Sequence, residues 1–183
     1  MKNVRREEIV DFETYRETRE AYRTKVLTIK AKRRIHVGAY LTFLFENHET
    51  IRYQVQEMML AERIVKEAEI LHELQTYNEL LGGPDGLGAS LLIEIETEDE
   101  RNVKLVQWLE LPKHLYVKLE DGTKVRATYD ARQVGETRLS SVHYLRFPVR
   151  GKVPVAIGSD LPALMEETPL TEEQRAALRE DLA

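Results

Sequence analysis

Not one of the 183 residues is cysteine, and that absence limits how the chain can hold itself together. Without sulfur there is no disulfide to staple a small scaffold, no zinc ribbon, no iron–sulfur cluster and no thiolate nucleophile. Stability must come from burial, and a chain of this length can build one large domain with a substantial core. Its 42% hydrophobic content suits that, while its 32% of charged residues exceeds the roughly 25% usual for a globular protein. No run approaches the ~18 apolar residues of a membrane span, so no membrane role is expected. The opening residues, Met1 to Glu8, lack the apolar segment of a secretory signal. A chain with neither signal nor disulfide suits the reducing cytoplasm, which is the expected location.

Hydrophobic spacing supplies the elements. Tyr15, Tyr22, Val26 and Ile29 predict a basic N-terminal helix over about 11–33. The period then changes: Ile35-His36-Val37 and Leu41 to Glu46 read as short strands, the second apolar enough for burial on both faces. One long helix is predicted from about Glu49 to Gln75, since neither Gly nor Pro interrupts it. Gly82 to Gly88 reads as a loop, followed by a strand over Leu91 to Ile95 and a helix over Asp99 to Leu109.

A hairpin begins at Leu115. A two-residue turn at Asp121-Gly122 would oppose Leu119 with Lys124 and scramble the two faces. A three-residue loop with Gly122 left-handed pairs Leu119 with Thr123, Val117 with Val125 and Leu115 with Ala127, which keeps one face apolar. Val142 to Phe147 is a further strand, and Thr171 with Gln174 has capping-box spacing for a last helix over about 171–181. The sum is a single α+β domain over 1–183. Its expected form is a mainly antiparallel sheet packed with one long central helix, an N-terminal helix and shorter helices.

Charge is unevenly placed. Residues 1–34 carry 11 Lys/Arg against 6 Asp/Glu, and the remainder 16 against 26. Lys25, Lys30, Lys32, Arg33 and Arg34 have no acid between them, and such a run can neutralise phosphates. The chain as a whole is nonetheless acidic, with a pI near 5.7, whereas a dedicated nucleic-acid binder has one above ~9. The run is therefore read as a solvated or intramolecularly paired helix end rather than as a nucleic-acid contact.

Catalytic motifs are incomplete. The Gly-rich loop lacks the Lys-Ser/Thr of a phosphate loop, and neither a Gly-x-Ser-x-Gly elbow nor a Ser-x-x-Lys pair occurs. Glu69 and His72 have Glu-x-x-His spacing, but a carboxylate di-metal site needs that motif twice. No metal and no cofactor are expected.

One residue stands out: Glu57 falls inside the stripe Tyr53, Leu60, Ala61, Ile64, Ala68, Leu71. A buried carboxylate must be paired or protonated, and Arg146, His143 and His36, in or beside strands, are its expected partners. On its strand His143 shares a face with Leu145 and Phe147, while Arg146 shares the other with Val142 and Tyr144, so one of the two faces the core. Glu57, His143 and His36 are thus the catalytic candidates.

Arg33-Arg34-Ile35-His36-Val37-Gly38, Leu44-Phe45-Glu46, Tyr53-Gln54-Val55-Gln56-Glu57-Met58, Glu62-Arg63-Ile64, Tyr77-Asn78 and Ser141-Val142-His143-Tyr144-Leu145-Arg146-Phe147 occur in this order. Together they resemble the bacterial family of uncharacterised proteins known as domain of unknown function 3501. Members often carry Pro after the glycine that ends the first motif, where this chain has Ala39. The same motifs nominate Gln54, Gln56, Tyr77, Asn78 and Arg146 as binding residues. The resemblance brings no catalytic activity. It implies a neighbourhood of rubrerythrin-like and iron–sulfur oxidoreductase proteins, hence a redox or peroxide-stress partner, and any redox chemistry must belong to that partner. The leading reading is a non-catalytic accessory or binding protein, with a homo-oligomer compatible with it. The alternative is an enzyme or small-molecule binder with a Glu/His acid–base pocket, and the second alternative a nucleic-acid binder through residues 25–34.

Overall fold

The computed structural model describes residues 2–183. Asp11 caps the first helix, α1 (Phe12–Ala31), by accepting from the amides of Glu13 and Thr14. Strands β1 (Arg34–Val37) and β2 (Leu41–Glu46) form a hairpin, and Asn47 then caps α2 (His48–Glu62). Next come α3 (Glu67–Asn78), β3 (Leu87–Ile93), α4 (Glu98–Gln107) and the short α5 (Leu111–His114). Strands β4 (Leu115–Lys118), β5 (Lys124–Arg126), β6 (Val142–Phe147), β7 (Ala156–Leu161) and β8 (Leu164–Pro169) precede the last helix, α6 (Glu172–Leu182). Among the described residues no helix is long and apolar enough to cross a membrane.

The class is α+β, but the strands make two antiparallel sheets rather than one, ordered β1-β2-β3-β6 and β5-β4-β7-β8. Their inner faces share one core. Phe43, Phe45, Leu91 and Phe147 from the first sheet meet Leu115, Val117, Ile157 and Leu164 from the second, with Trp108 of the α4–α5 junction at the margin. The sheets touch at both sides: β1 runs beside β8, and Thr128, just past β5, bridges to Arg146 on β6. The predicted hairpin register is observed, with Val117 opposite Val125, Leu119 bonded to Thr123 and Gly122 at φ +82°. Beyond it, Tyr116 faces away from the core yet is buried under Lys124 and Arg126.

The single long helix is two. Ile51, Val55 and Met59 form the buried stripe of α2, and in an unbroken helix Ile64 would sit about 140° around from Met59. Arg63 instead turns left-handed at φ 53°, the Ile64 amide bonds back to the Met59 carbonyl, and Ile64 is folded into the core with Ile70 and Leu74 of α3. Much of the predicted stripe is therefore solvent-facing: Ala61, Ala68 and Leu71 are exposed. This second core, with Val4 and Ile9 of the N-terminal segment, belongs to the helices.

The strand after the Gly-rich loop begins earlier than predicted, so Leu87 and Gly88 are part of it. Gly88 lies so close to the end of the α3 segment that a Cβ there would be 1.8 Å from the Leu80 carbonyl oxygen. Gly88→Ala should cost about 3 kcal/mol or more and lower the thermal midpoint by roughly 6–12 °C, because backbone rather than a flexible side chain must move. Gly122→Ala, at an open left-handed turn, should cost only ~1 kcal/mol. Parallel melts of the two variants check this; equal losses would mean that α3 yields freely to β3.

Candidate functional site

The three acid–base candidates do not meet. Glu57 lies between α1 and α2, not against a sheet, and its side chain is 22% exposed. Its carboxylate accepts from the Tyr15 hydroxyl at 2.6 Å and from Arg19 through Nε at 2.8 Å and Nη2 at 2.7 Å. The expected partners Arg146, His143 and His36 are thereby replaced by two residues of α1. The cause is the helix pair: the face that carries Glu57 packs on α1. Arg19 and then Tyr15 hold the carboxyl below its ordinary range against the opposing effect of burial, and the Tyr15 hydroxyl is pushed up by burial and by Glu57.

His143 is the polar residue that faces the inner core, while Arg146 faces outward. It is fully buried on β6, opposite Leu91. Nε2 donates to the Ser140 carbonyl at 2.9 Å, and Nδ1 has no partner. Burial lowers its pKa, opposed by that hydrogen bond. His36 lies on the opposite face of the same sheet and is exposed. Thr42 uses its one hydroxyl proton on Glu94, so His36 Nδ1 donates to Thr42 Oγ1 at 2.8 Å.

Two of the binding candidates are fasteners of the N-terminal segment. Gln56 accepts from the Val10 amide and donates to the Val10 carbonyl, at 2.8 and 3.1 Å, and Asn78 does the same with Val4 at 2.8 and 2.9 Å. A primary amide has both groups needed to copy a peptide, which explains the residue type. Gln54 sits beside the Tyr77 hydroxyl. Glu69 and His72 are exposed on α3, and among the described residues no three His, Asp or Glu are placed to hold a metal ion. The basic run is largely engaged internally. Arg33 is buried in a bidentate pair with Asp181, Lys32 lies 3.4 Å from Glu173, Lys25 lies 3.5 Å from Glu49, and Lys30 stands over the Tyr53 ring.

Tyr77 and Arg146 do come together. They line a groove of about 530 Å³ at the sheet seam, with Tyr129, Tyr144, Gln133 and Leu80. Arg146 donates from Nε to the Glu79 carbonyl at 3.0 Å, and its backbone exchanges both hydrogen bonds with Thr128. The Tyr144 amide donates to the Gln133 side chain at 2.8 Å. Asp130 at the rim is held down to about 2, chiefly by Arg132. Three phenol rings and a guanidinium fixed by a carbonyl suit grip rather than proton transfer. Sequence reasoning missed Tyr129 and Tyr144 here, because their meeting depends on the bridge between sheets.

A second polar cluster covers the outer face of the other sheet. Asp160 accepts from Arg126 at 2.7 and 2.8 Å and lies 3.0 Å from His114 Nδ1. Arg126, His114 and Lys124 hold it well below the usual carboxylate range. The neighbouring Ser159 points to the other face, where its Oγ accepts from the Leu161 amide. This pair therefore has no adjacent serine to activate.

A family model described as protein of unknown function, DUF3501, matches residues 3–182. The chain belongs to that family. A crystal structure of a protein of unknown function from Burkholderia pseudomallei K96243 is similar over 100% of both chains, with a TM-score of 0.90 and 28% identity. No curated protein matches. The DUF3501 motifs thus fall on structural tasks (Arg33, Gln56, Asn78) and on the groove (Tyr77, Tyr144, Arg146).

Two pH effects follow. His143 is neutral in the fold and its folded pKa lies below the ordinary ~6.5, so the unfolded chain takes up the proton first as pH falls. Stability should fall from pH 7 toward 5, and His143→Leu should flatten that fall while costing little at pH 7. Identical slopes in the two melting series would refute it. Glu57 works in the lower range: its depressed folded pKa stabilises the protein above ~4.5 and is lost as acid protonates it. Glu57→Gln should cost about 1–2 kcal/mol at pH 7 and progressively less as the pH falls below ~4.5, as read by urea unfolding at each pH.

Proposed function

We propose that this chain is a non-catalytic binding protein of the cytoplasm whose working surface is the groove lined by Tyr77, Tyr129, Tyr144 and Arg146. One observation carries the reading: of the candidate residues, those that converge are grip residues, while Glu57, His143 and His36 stand in three separate places. Aromatic side chains with an arginine are the composition that dominates binding hot spots, and a concave, mostly apolar site with a few polar groups is the form binding sites take. As part of the same proposal, the partner comes from the redox-stress setting that the family resemblance implies, a rubrerythrin-like protein being one such partner. Within this proposal electrons are carried by that partner, this chain having no cysteine for a disulfide or an iron–sulfur centre.

The test is a random library of short peptides displayed on phage and panned against the intact chain. The expected outcome is a set of binders whose affinity drops tenfold or more in Tyr144→Ala, with no change in His36→Ala or Glu57→Gln. Binders insensitive to Tyr144, or no binder at all, would sink the groove reading. Turnover abolished by Glu57→Gln in an unbiased substrate screen would favour the enzyme alternative instead.

A further inference from the structure

Between the two sheets the backbone ladder is unfinished. Thr128 and Arg146 form an antiparallel bridge, with N···O distances of 2.7 and 2.8 Å. Continued by two residues, that ladder would place Asp130 opposite Tyr144, and by four it would place Arg132 opposite Val142. The chain does not continue it: residues Ala131–Gln133 turn into a one-turn 3-10 helix. In an antiparallel strand alternate residues aim both backbone groups at the same neighbour. Arg146 aims at Thr128, so Tyr144 and Val142 aim at the same open side, away from β3. What meets the Tyr144 amide there is the Gln133 side-chain carbonyl at 2.8 Å, and what meets the Val142 amide is the Ser140 hydroxyl at 3.1 Å.

We infer that the occupant of the groove is an extended peptide segment of another protein, which pairs with β6 at Val142 and Tyr144 and displaces the Gln133 amide. The inference rests on the proposed binding role of the groove. A primary amide is the side chain that copies a peptide group, as Gln56 and Asn78 do toward Val10 and Val4 in this chain. Gln133 holds the place where a strand's carbonyl would sit. Two of the charged side chains lining the groove are already engaged within the chain, Asp130 with Arg132 and Arg146 with the Glu79 carbonyl. Val142 and Tyr144 are 39% and 41% exposed on the outward face. The fitting segment is therefore uncharged, with apolar or aromatic side chains at alternate positions, main-chain pairing giving affinity and the tyrosines giving selectivity.

The test uses a peptide selected from the phage library on the intact chain, resynthesised in two forms, each N-methylated at one of the two alternating sets of residues. Strand pairing predicts a tenfold or greater loss of affinity for one set and a small change for the other. It also predicts that Gln133→Ala binds the unmodified peptide about two- to tenfold tighter, since one hydrogen bond no longer has to be displaced. Equal tolerance of both methylated forms, with binding still dependent on Tyr144, overturns strand pairing and leaves the groove standing. Loss of Tyr144 dependence, or failure to select any peptide, overturns both. A dimer in sedimentation that Val142→Glu dissociates would show that β6 pairs with a second copy, and would overturn the assignment to another protein.

Discussion

Arg33 and Asp181 are 148 residues apart in sequence and form a buried fork, Nε to Oδ2 at 2.7 Å and Nη2 to Oδ1 at 2.9 Å, with both side chains nearly inaccessible. Much of the remaining structure hangs on this contact. The Arg33 carbonyl accepts from the Phe45 amide and so starts the β1–β2 hairpin, while its guanidinium also reaches the carbonyls of Ile29 and Ala177. Asn47, the cap of α2, donates to the same aspartate. One carboxylate thus gathers the end of α1, the β2–α2 junction and α6. Desolvating two charges is offset only when the remaining hydrogen-bonding capacity is satisfied, and here it is. With no disulfide in the chain, this pair fixes which faces of the helices and sheets meet.

From that fixed corner the molecule divides into two cores with different demands. The sheet core is apolar, and its single buried histidine leaves one nitrogen unpartnered. The helical core is closed by amide side chains that copy backbone, because its third wall is an irregular N-terminal segment with no ladder of its own. Buried backbone groups need partners wherever regular structure does not supply them. Glu46 handles the border between the two regions, accepting from Thr50 on α2 and from Ser90 on β3.

What could be read from the sequence was whatever depends on near neighbours. The β4–β5 register followed from alternation and one glycine, and the cap of α6 from four residues. Arg33 sat in a basic run and looked like a phosphate contact, because nothing nearby in sequence reveals an aspartate 148 residues away. Glu57 was legible as a carboxylate that needs a partner. Its partner was not, since the choice between Arg19 and Arg146 depends on whether α2 packs on a helix or on a sheet. The helix break at Arg63 carries neither Gly nor Pro; the only local sign was Ile64, out of phase with Met59.

The groove was the least legible part for the same reason, and its edge also explains why a binding role is the economical reading. An open strand edge invites unwanted pairing, and proteins usually blunt it with lysine, proline, a bulge or an inward charge. On β6 the residues aimed at the open side are Val142 and Tyr144, both apolar and partly exposed, and neither proline nor lysine lies in the strand. The protection is instead two side-chain hydrogen bonds, the Ser140 hydroxyl on the Val142 amide and a glutamine from a one-turn helix on the Tyr144 amide, each worth about 1 kcal/mol net. A permanent seal could have been made by continuing the Thr128–Arg146 ladder for two more residues. A weak cover over an apolar edge is compatible with the strand pairing proposed above, because displacing it costs little.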